Sequence, residues 1–276
     1  MVFLLICMPQ ARAEDAAAWN ARILERIEAM PGGGQYAAYR RDAPEGKRFN
    51  DLYATVDSLQ NAISVNWRGR LVVRPERAFP GSFCSSGTYL LFADVIATLQ
   101  RDGVVPAHAR LSRELADVGD TRDVIHGRLD GVGIFGHWNA DGPGTAVLFH
   151  RLAIGRSFLG YDLAKPGDFL KIFWNDKIGK GERGHLVVYL GTNETGDAIE
   201  VWSSNQRNHD GSSGYGTMWV AKSRIHTALF SRLETPGNLI RWLDFSEDEK
   251  TSDYLVRIRR TPSTLKEMRE QVGIAR

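Results

Sequence analysis

The chain contains the segment Phe83-Cys84-Ser85-Ser86-Gly87-Thr88-Tyr89-Leu90-Leu91-Phe92, in which a short polar stretch passes directly into an apolar run. This composition predicts a helix that begins at Cys84 and ends near Gly103. The N–H groups and the dipole at a helix N-terminus favour the thiolate form of a cysteine. We therefore take Cys84 as a candidate nucleophile, the alternative being a buried, inert thiol.

The first residues of the chain predict export. An apolar run over residues 2–8 precedes Pro9 and the small-residue pattern Ala11-Arg12-Ala13, as in a signal peptide before its cleavage site. We expect residues 1–13 to be a signal peptide, with a truncated start because no positive charge precedes the apolar run. The mature protein would then be periplasmic or secreted, with Cys84 as its single cysteine. An unpaired thiol is chemically vulnerable outside the cytoplasm, which favours a reactive role for it.

Composition excludes several classes of protein. The 276 residues are 43% hydrophobic and 25% charged, with a formal net charge of +2, as in an ordinary globular protein. This charge is too small to indicate a nucleic-acid partner. After the signal peptide, no apolar stretch is long enough to predict a transmembrane segment. We expect one domain over residues 14–276, because no Pro, Gly or Ser linker divides the chain. We also expect a monomer.

The apolar pattern changes along the chain. Helical spacing predominates in the first half, whereas short apolar blocks bounded by glycines predominate after residue 168. Predicted helices cover residues 15–30, 51–65, 84–103, 106–118 and 145–152, with another from Thr121, and predicted strands cover 71–73, 169–174, 185–190, 198–204, 217–221 and 255–258. Helices followed by strands predict an α+β fold with an antiparallel sheet.

A histidine stands at the start of one predicted strand, in Gly184-His185-Leu186-Val187-Val188-Tyr189-Leu190-Gly191. It follows Cys84 by about a hundred residues, a layout in which a thiol and an imidazole from distant segments can meet. Such a pair would lower the pKa of the thiol and prepare the imidazole to protonate a leaving amine.

The chain resembles the NlpC/P60 group of papain-like cysteine peptidases in the order of three motifs. These are the helix-opening Cys84, Pro166-Gly167-Asp168 before a strand, and Gly184-His185 before an apolar strand that ends in Tyr189-Leu190-Gly191. The resemblance covers residues 82–206 and is best over residues 166–191.

This resemblance implies a fold and an activity. The fold would be papain-like α+β, with the cysteine at the N-terminus of a helix that packs on an antiparallel β-sheet. Residues 14–276 would form one catalytic domain with a helical N-terminal extension and insertions. The activity would be hydrolysis of an amide bond in peptidoglycan or another peptide, as an endopeptidase or an amidase. Cys84 would be the nucleophile and His185 the general base, with no cofactor.

The resemblance also implies a third polar residue, on the strand after the histidine, that accepts the other ring proton. Because side chains alternate along a strand, either Ser203 and Asn205 or Ser204 and Gln206 point at His185. We expect Asn205, since an amide oxygen is the better acceptor for an imidazole N–H, with Ser203 second.

The chain departs from the commoner NlpC/P60 pattern in two respects. The third position offers no histidine, and no tyrosine lies between Ala54 and Cys84 to serve as an oxyanion donor. We therefore expect the oxyanion hole to use the backbone N–H of Cys84 and a second donor that the sequence does not identify.

A segment between the candidate catalytic residues is rich in glycine and polar side chains, Gly136-His137-Trp138-Asn139-Ala140-Asp141-Gly142-Pro143-Gly144-Thr145. We expect a loop that forms one wall of a substrate groove, where Trp138 stacks on a sugar or a peptide plane. The alternative is that Trp138 is a buried anchor. We expect no metal, because His209-Asp210 has no second ligand cluster and no H-E-x-x-H motif occurs.

Two other functions fit the same motifs. An acyltransferase could form a thioester at Cys84, and it would need an apolar tunnel beside the thiol in place of a polar groove. A non-catalytic module that binds the cell wall would not need a paired cysteine and histidine.

Overall fold

The computed structural model describes residues 16–37, 55–78, 81–119 and 131–275. The α-helices with defined bounds are α1 (Ala16–Ile27), α2 (Cys84–Arg101), α3 (Ala109–Ala116), α4 (Gly133–Asn139), α5 (Gly144–Leu152), α6 (Asp253–Ile258) and α7 (Leu265–Gln271). Residues 55–62 are also helical. Short 3-10 helices cover Pro75–Arg77, Lys222–Arg224 and Pro236–Asp244.

The strands form one large sheet and two small pairs. They are β1 (Gln35–Tyr36), β2 (Ile63–Val65), β3 (Leu71–Val73), β4 (Gly81–Ser82), β5 (Gly155–Leu159), β6 (Phe169–Phe173), β7 (Gly184–Thr192), β8 (Ala198–Asn205), β9 (Gly214–Ala221) and β10 (Thr227–Leu233). The large sheet has the order β5-β10-β6-β7-β8-β9, with every neighbouring pair antiparallel. β2 and β3 form an antiparallel hairpin, and β1 pairs with β4 in parallel. The protein is therefore of the α+β class.

Helix α2 is central to the core. Fifteen of its residues are buried, so apolar side chains surround it on nearly every side, as expected for an interior helix. It lies against β7 and β8, and the approach is closest at Gly87, where a Cβ atom would stand 3.3 Å from the backbone nitrogen of Ser204. Glycine at this position lets the helix pack directly on the sheet.

Strand β7 contributes to two apolar clusters. Leu186 and Val188 pack in the cluster that contains α2, whereas Val187 and Tyr189 pack in a second cluster with residues of β6 and β8. This alternation follows from the two-residue period of a strand and explains the unbroken apolar run over residues 186–190. Burial on both faces fixes the register of β7, and therefore the position of the histidine near its start.

A buried carboxylate anchors the start of β6. Asp168 accepts hydrogen bonds from Arg232 Nε at 2.8 Å and Nη2 at 2.6 Å, and from Asn20 Nδ2 at 2.9 Å. Its Oδ2, which accepts from Arg232 Nη2, also accepts from the backbone nitrogen of Lys165 at 2.8 Å. The aspartate of the Pro-Gly-Asp motif thereby joins β6 to β10 and α1.

Several secondary-structure predictions are corrected. Residues 255–258 lie in helix α6 and not in a strand, because the Ser252 side chain caps the helix and the buried pair Leu255 and Ile258 follows helical spacing. Residues 63–65 form β2 and do not continue the preceding helix. Residues 136–139 of the predicted loop are helical in α4. Strands β5 and β10 were not predicted.

Two predictions fall on residues that the structure does not describe. The signal peptide at residues 1–13 and the helix expected from Thr121 both lie outside the described residues. Within the described ranges, none of the helices combines the length and apolarity that crossing a bilayer requires.

Candidate active site

Cys84 is the first residue of α2. The preceding Phe83 is extended, and its backbone nitrogen donates to the Ser86 hydroxyl at 2.9 Å, which ends the loop and starts the helix at the cysteine. The thiol is unpaired, and Cys84 as a whole residue is partly exposed. A partly exposed cysteine at a helix N-terminus, beside a cavity, has the electrostatic environment that a nucleophile needs.

His185 and Asn205 meet across the neighbouring strands β7 and β8. His185 Nε2 lies 2.9 Å from Asn205 Oδ1, and the thiol of Cys84 forms a hydrogen bond with the imidazole. Since Nε2 faces the asparagine, Nδ1 faces the sulfur. The structure therefore brings the three predicted residues together in the order Cys84, His185, Asn205.

The orientation of the Asn205 amide is set by its surroundings. Its Nδ2 donates to Gly216 O and to Asn208 Oδ1, both at 2.9 Å, so Oδ1 is left to accept the proton of His185 Nε2. Asn205 and His185 are both buried. A buried acceptor held in this way fixes the tautomer and the ring orientation of the imidazole.

The other candidates for the third position have different partners. Ser203 donates to Leu186 O at 2.7 Å, and Ser204 shares a hydrogen bond with Ser82 at 2.7 Å. Gln206 is exposed. Of the four residues considered, Asn205 is the one whose side chain contacts the imidazole.

The surroundings of Cys84 favour its ionised form. Burial alone would raise the pKa of the thiol, but the hydrogen bond and charge of His185, the backbone N–H of Leu186 and the charge of Lys171 outweigh burial and lower the pKa of Cys84 to about 7. Burial likewise opposes the charge on His185, and the hydrogen bond and negative charge of Cys84 prevail, which raises the pKa of the imidazole. Both shifts favour the thiolate form of Cys84 and the imidazolium form of His185.

Sequence reasoning missed Tyr36. Its hydroxyl forms a hydrogen bond with the Cys84 sulfur, and the negative charge of Cys84, followed by burial, raises the pKa of Tyr36 so that it stays a proton donor. It reaches the site because β1 pairs with β4, with Tyr36 opposite Ser82, two residues before the cysteine. The expected position for such a donor, between Ala54 and Cys84, holds no tyrosine, and the signal for Tyr36 in the sequence is its place just after Gly32-Gly33-Gly34.

A second residue that the sequence did not indicate is Trp174. Its indole lies nearly parallel to the His185 ring, with centroids 6.5 Å apart and an interplanar angle of 25°. It directly follows β6, the strand that pairs with β7. The indole therefore lies beside one face of the imidazole.

A polar cavity of about 220 Å³ opens beside Cys84. Its polar lining includes Ser85, Asn139, Asp141, Thr145, Lys171 and Glu182. The partly buried Lys171 Nζ lies 2.7 Å from Glu182 Oε1, and Glu182 Oε2 accepts from Gly142 N at 2.6 Å and Gly179 N at 2.7 Å. This carboxylate therefore ties the segment after α4 to the turn that leads into β7.

No known family model, curated protein sequence or solved structure matches this chain. The interpretation of the site therefore depends on its own geometry and on the motifs described above.

The prediction that Trp138 stacks on a substrate is wrong. Its side chain is 1% exposed, and its ring packs on Phe92 and Phe169 with centroids 4.6 and 5.0 Å away. The indole nitrogen donates to Thr88 Oγ1 at 3.0 Å. Trp138 borders the cavity but is a buried anchor between α2 and the sheet, because its helix α4 turns the indole toward the core.

His209 shares a hydrogen bond with Glu200 at 3.3 Å. In the part of the chain that the structure describes, no three His, Cys, Asp or Glu side chains are grouped in a way that could hold a metal ion. The absence of a metal or other cofactor stays a prediction.

Proposed function

We propose that the chain is an exported cysteine hydrolase that cleaves an amide bond in peptidoglycan, with a papain-like catalytic site. The observation that carries the proposal is the position of His185 between Cys84 and Asn205, with the pKa of Cys84 lowered to about 7. A structural cysteine needs none of these neighbours, whereas a nucleophile needs a base and an orienting group.

In the proposed reaction, the Cys84 thiolate attacks the carbonyl carbon of the amide. The developing oxyanion accepts hydrogen bonds from the backbone N–H of Cys84 and from the Tyr36 hydroxyl, which supplies the second donor. The imidazolium of His185 gives its Nδ1 proton to the leaving amine, and the C–N bond breaks to leave a thioester. His185 then takes a proton from water, the resulting hydroxide attacks the thioester, and the carboxylic acid and the thiolate are released.

The cavity beside the thiol supports a peptide substrate over a lipid. An acyltransferase would place an apolar tunnel at Cys84, but the lining includes three charged side chains, those of Asp141, Lys171 and Glu182. A non-catalytic binding module would have no use for a thiol with a lowered pKa. The peptidoglycan substrate and the export of the chain are proposed from the NlpC/P60 resemblance and from residues 1–13.

Digestion of purified peptidoglycan tests this proposal. The full chain and its Cys84→Ala variant are incubated with the polymer, and mass spectrometry identifies the soluble fragments. We expect fragments with a new amine and a new carboxylate from the unmodified protein alone, and their masses distinguish an endopeptidase from an amidase. Equal release by both proteins, or release by neither, contradicts the proposal.

A further inference from the structure

The turn of the β2–β3 hairpin presents the most exposed large apolar side chain among the described residues. Trp67, in the segment Asn66-Trp67-Arg68-Gly69-Arg70, is 86% exposed. The turn is held in shape, because the Asn66 side chain accepts hydrogen bonds from the backbone nitrogens of Arg68 at 2.9 Å and Arg70 at 3.1 Å. We call Trp67, Arg68 and Arg70 the hairpin tip. A single exposed apolar side chain is ordinary on a protein surface, so Trp67 indicates a binding surface only together with these neighbours.

The hairpin tip is positively charged. The side chains of Arg68 and Arg70 are exposed and form no ion pair within the described ranges. Residues 66–77 contain four arginines and one acidic residue. The turn lies against the start of α3, where Arg110 stands 3.9 Å from Glu247, so the positive charge without an acidic partner belongs to the hairpin. Such a surface attracts an anionic partner.

The Arg68 guanidinium bears on the kind of anionic partner. Its Cζ lies 4.5 Å from the centroid of the Trp67 ring, a cation–π contact that covers one face of the indole. A sugar stacks on an open ring face, which this contact takes up. A lipid surface uses the same side chains differently, because the indole lies at the level of the headgroups while guanidinium N–H groups bind phosphates. The contacts of the hairpin tip therefore favour an anionic lipid surface over a glycan.

The hairpin tip is far from the candidate active site. Leu71, which follows the tip, donates its backbone nitrogen to Gln100 Oε1 at 3.0 Å. Gln100 lies in the last turn of α2, whereas Cys84 is the first residue of that helix. At 1.5 Å per residue, the two ends are about 24 Å apart. A partner at the hairpin tip is therefore separate from the cavity beside Cys84, and substitutions at the tip leave the catalytic residues in place.

We propose that the hairpin tip binds the surface of an anionic phospholipid bilayer, with the Trp67 indole among the headgroups and Arg68 and Arg70 on lipid phosphates. The inference goes beyond the proposed function and does not depend on it, because the tip binds whether or not Cys84 is a nucleophile. Each arginine near an anionic surface strengthens binding about fivefold. Partial burial of the indole adds roughly another tenfold.

Sedimentation of the full chain with lipid vesicles tests the proposal. Vesicles of phosphatidylglycerol and phosphatidylcholine in equal parts are compared with vesicles of phosphatidylcholine alone, at physiological ionic strength. We expect binding to the anionic vesicles, reduced about 25-fold in the double variant Arg68→Gln/Arg70→Gln and about tenfold in Trp67→Ala. The matched control is Arg260→Gln/Lys266→Gln, which removes the same charge from exposed residues near the C-terminus and should bind as the unmodified protein does.

Tryptophan fluorescence then locates the contact. Anionic vesicles whose lipids carry brominated acyl chains quench an indole that enters the bilayer surface, so the unmodified protein should lose more emission than Trp67→Ala. Trp219→Ala is the matched control, because Trp219 is also exposed but lies on β9. This control variant should lose as much emission as the unmodified protein.

Four results would overturn the proposal. The first is no binding to anionic vesicles, and the second is an equal loss of binding in the control double variant and the double variant of the hairpin tip. The third is quenching of Trp67→Ala as strong as that of the unmodified protein. The fourth is binding to purified peptidoglycan in place of vesicles, lost in Trp67→Ala, which would assign the hairpin tip to the glycan.

Discussion

Replacement of His185 by alanine should raise the pKa of the Cys84 thiol and slow its alkylation at neutral pH. The imidazole is the main group that lowers this pKa to about 7 against the effect of burial, so its removal returns the thiol at least to its ordinary value of 9.0. At pH 7 the thiolate fraction then falls from about one half to about one in a hundred, a loss of roughly 50-fold. The thiolate that remains in the variant is more basic, and a rise of two pKa units makes it about sixfold more nucleophilic. The net loss in alkylation rate is therefore about eightfold.

The assay is the rate of reaction of Cys84 with iodoacetamide from pH 5 to pH 10. We expect the unmodified protein to show an inflection near pH 7 and His185→Ala to show it at or above pH 9. His226→Ala is the control, because that histidine is exposed and contacts Thr227. The reasoning is refuted if the His185→Ala inflection stays near pH 7, since the imidazole would then have no part in the ionisation of the thiol.

Three further predictions concern the second oxyanion donor and the core. Tyr36→Phe should lower kcat by about 10²- to 10³-fold while Cys84 still reacts with iodoacetamide near pH 7, a combination that a folding defect would not give. Trp138→Ala should lower the free energy of unfolding in urea by about 3–5 kcal/mol, because it removes a large buried side chain. A loss of substrate affinity without this destabilisation would instead support stacking of Trp138 on the substrate. Asp168→Asn should also cost about 3–5 kcal/mol, because Arg232 would keep a buried charge without its partner; an unchanged urea midpoint would show that the pair is not needed.

The central strands were predictable because their pattern is local. Strands β6, β7 and β8 begin within one residue of the predicted positions, since each is an apolar block bounded by turn residues. The contact of Asn205 with His185 was also predicted, because the NlpC/P60 resemblance implies a polar residue on this strand and an amide oxygen is a good acceptor for an imidazole N–H.

The parts of the site that were missed depend on contacts between distant segments. Tyr36 reaches Cys84 through the parallel pairing of two-residue strands, which leaves no periodicity in the sequence. The partnership of Lys171 with Glu182 depends on how the turn between β6 and β7 folds back. Trp138 lies in the seven-residue helix α4, which is too short for apolar spacing to show which face is buried.

The central claim is that Cys84 forms a thioester with the acyl part of an amide substrate. Its most direct test is the intact mass of the protein after brief exposure to soluble peptidoglycan fragments and an acid quench. We predict an added mass equal to the acyl half of a fragment, located on Cys84, absent from Cys84→Ala and removed by hydroxylamine. The account is contradicted if the unmodified protein cleaves fragments without forming an adduct and Cys84→Ala cleaves them at an undiminished rate.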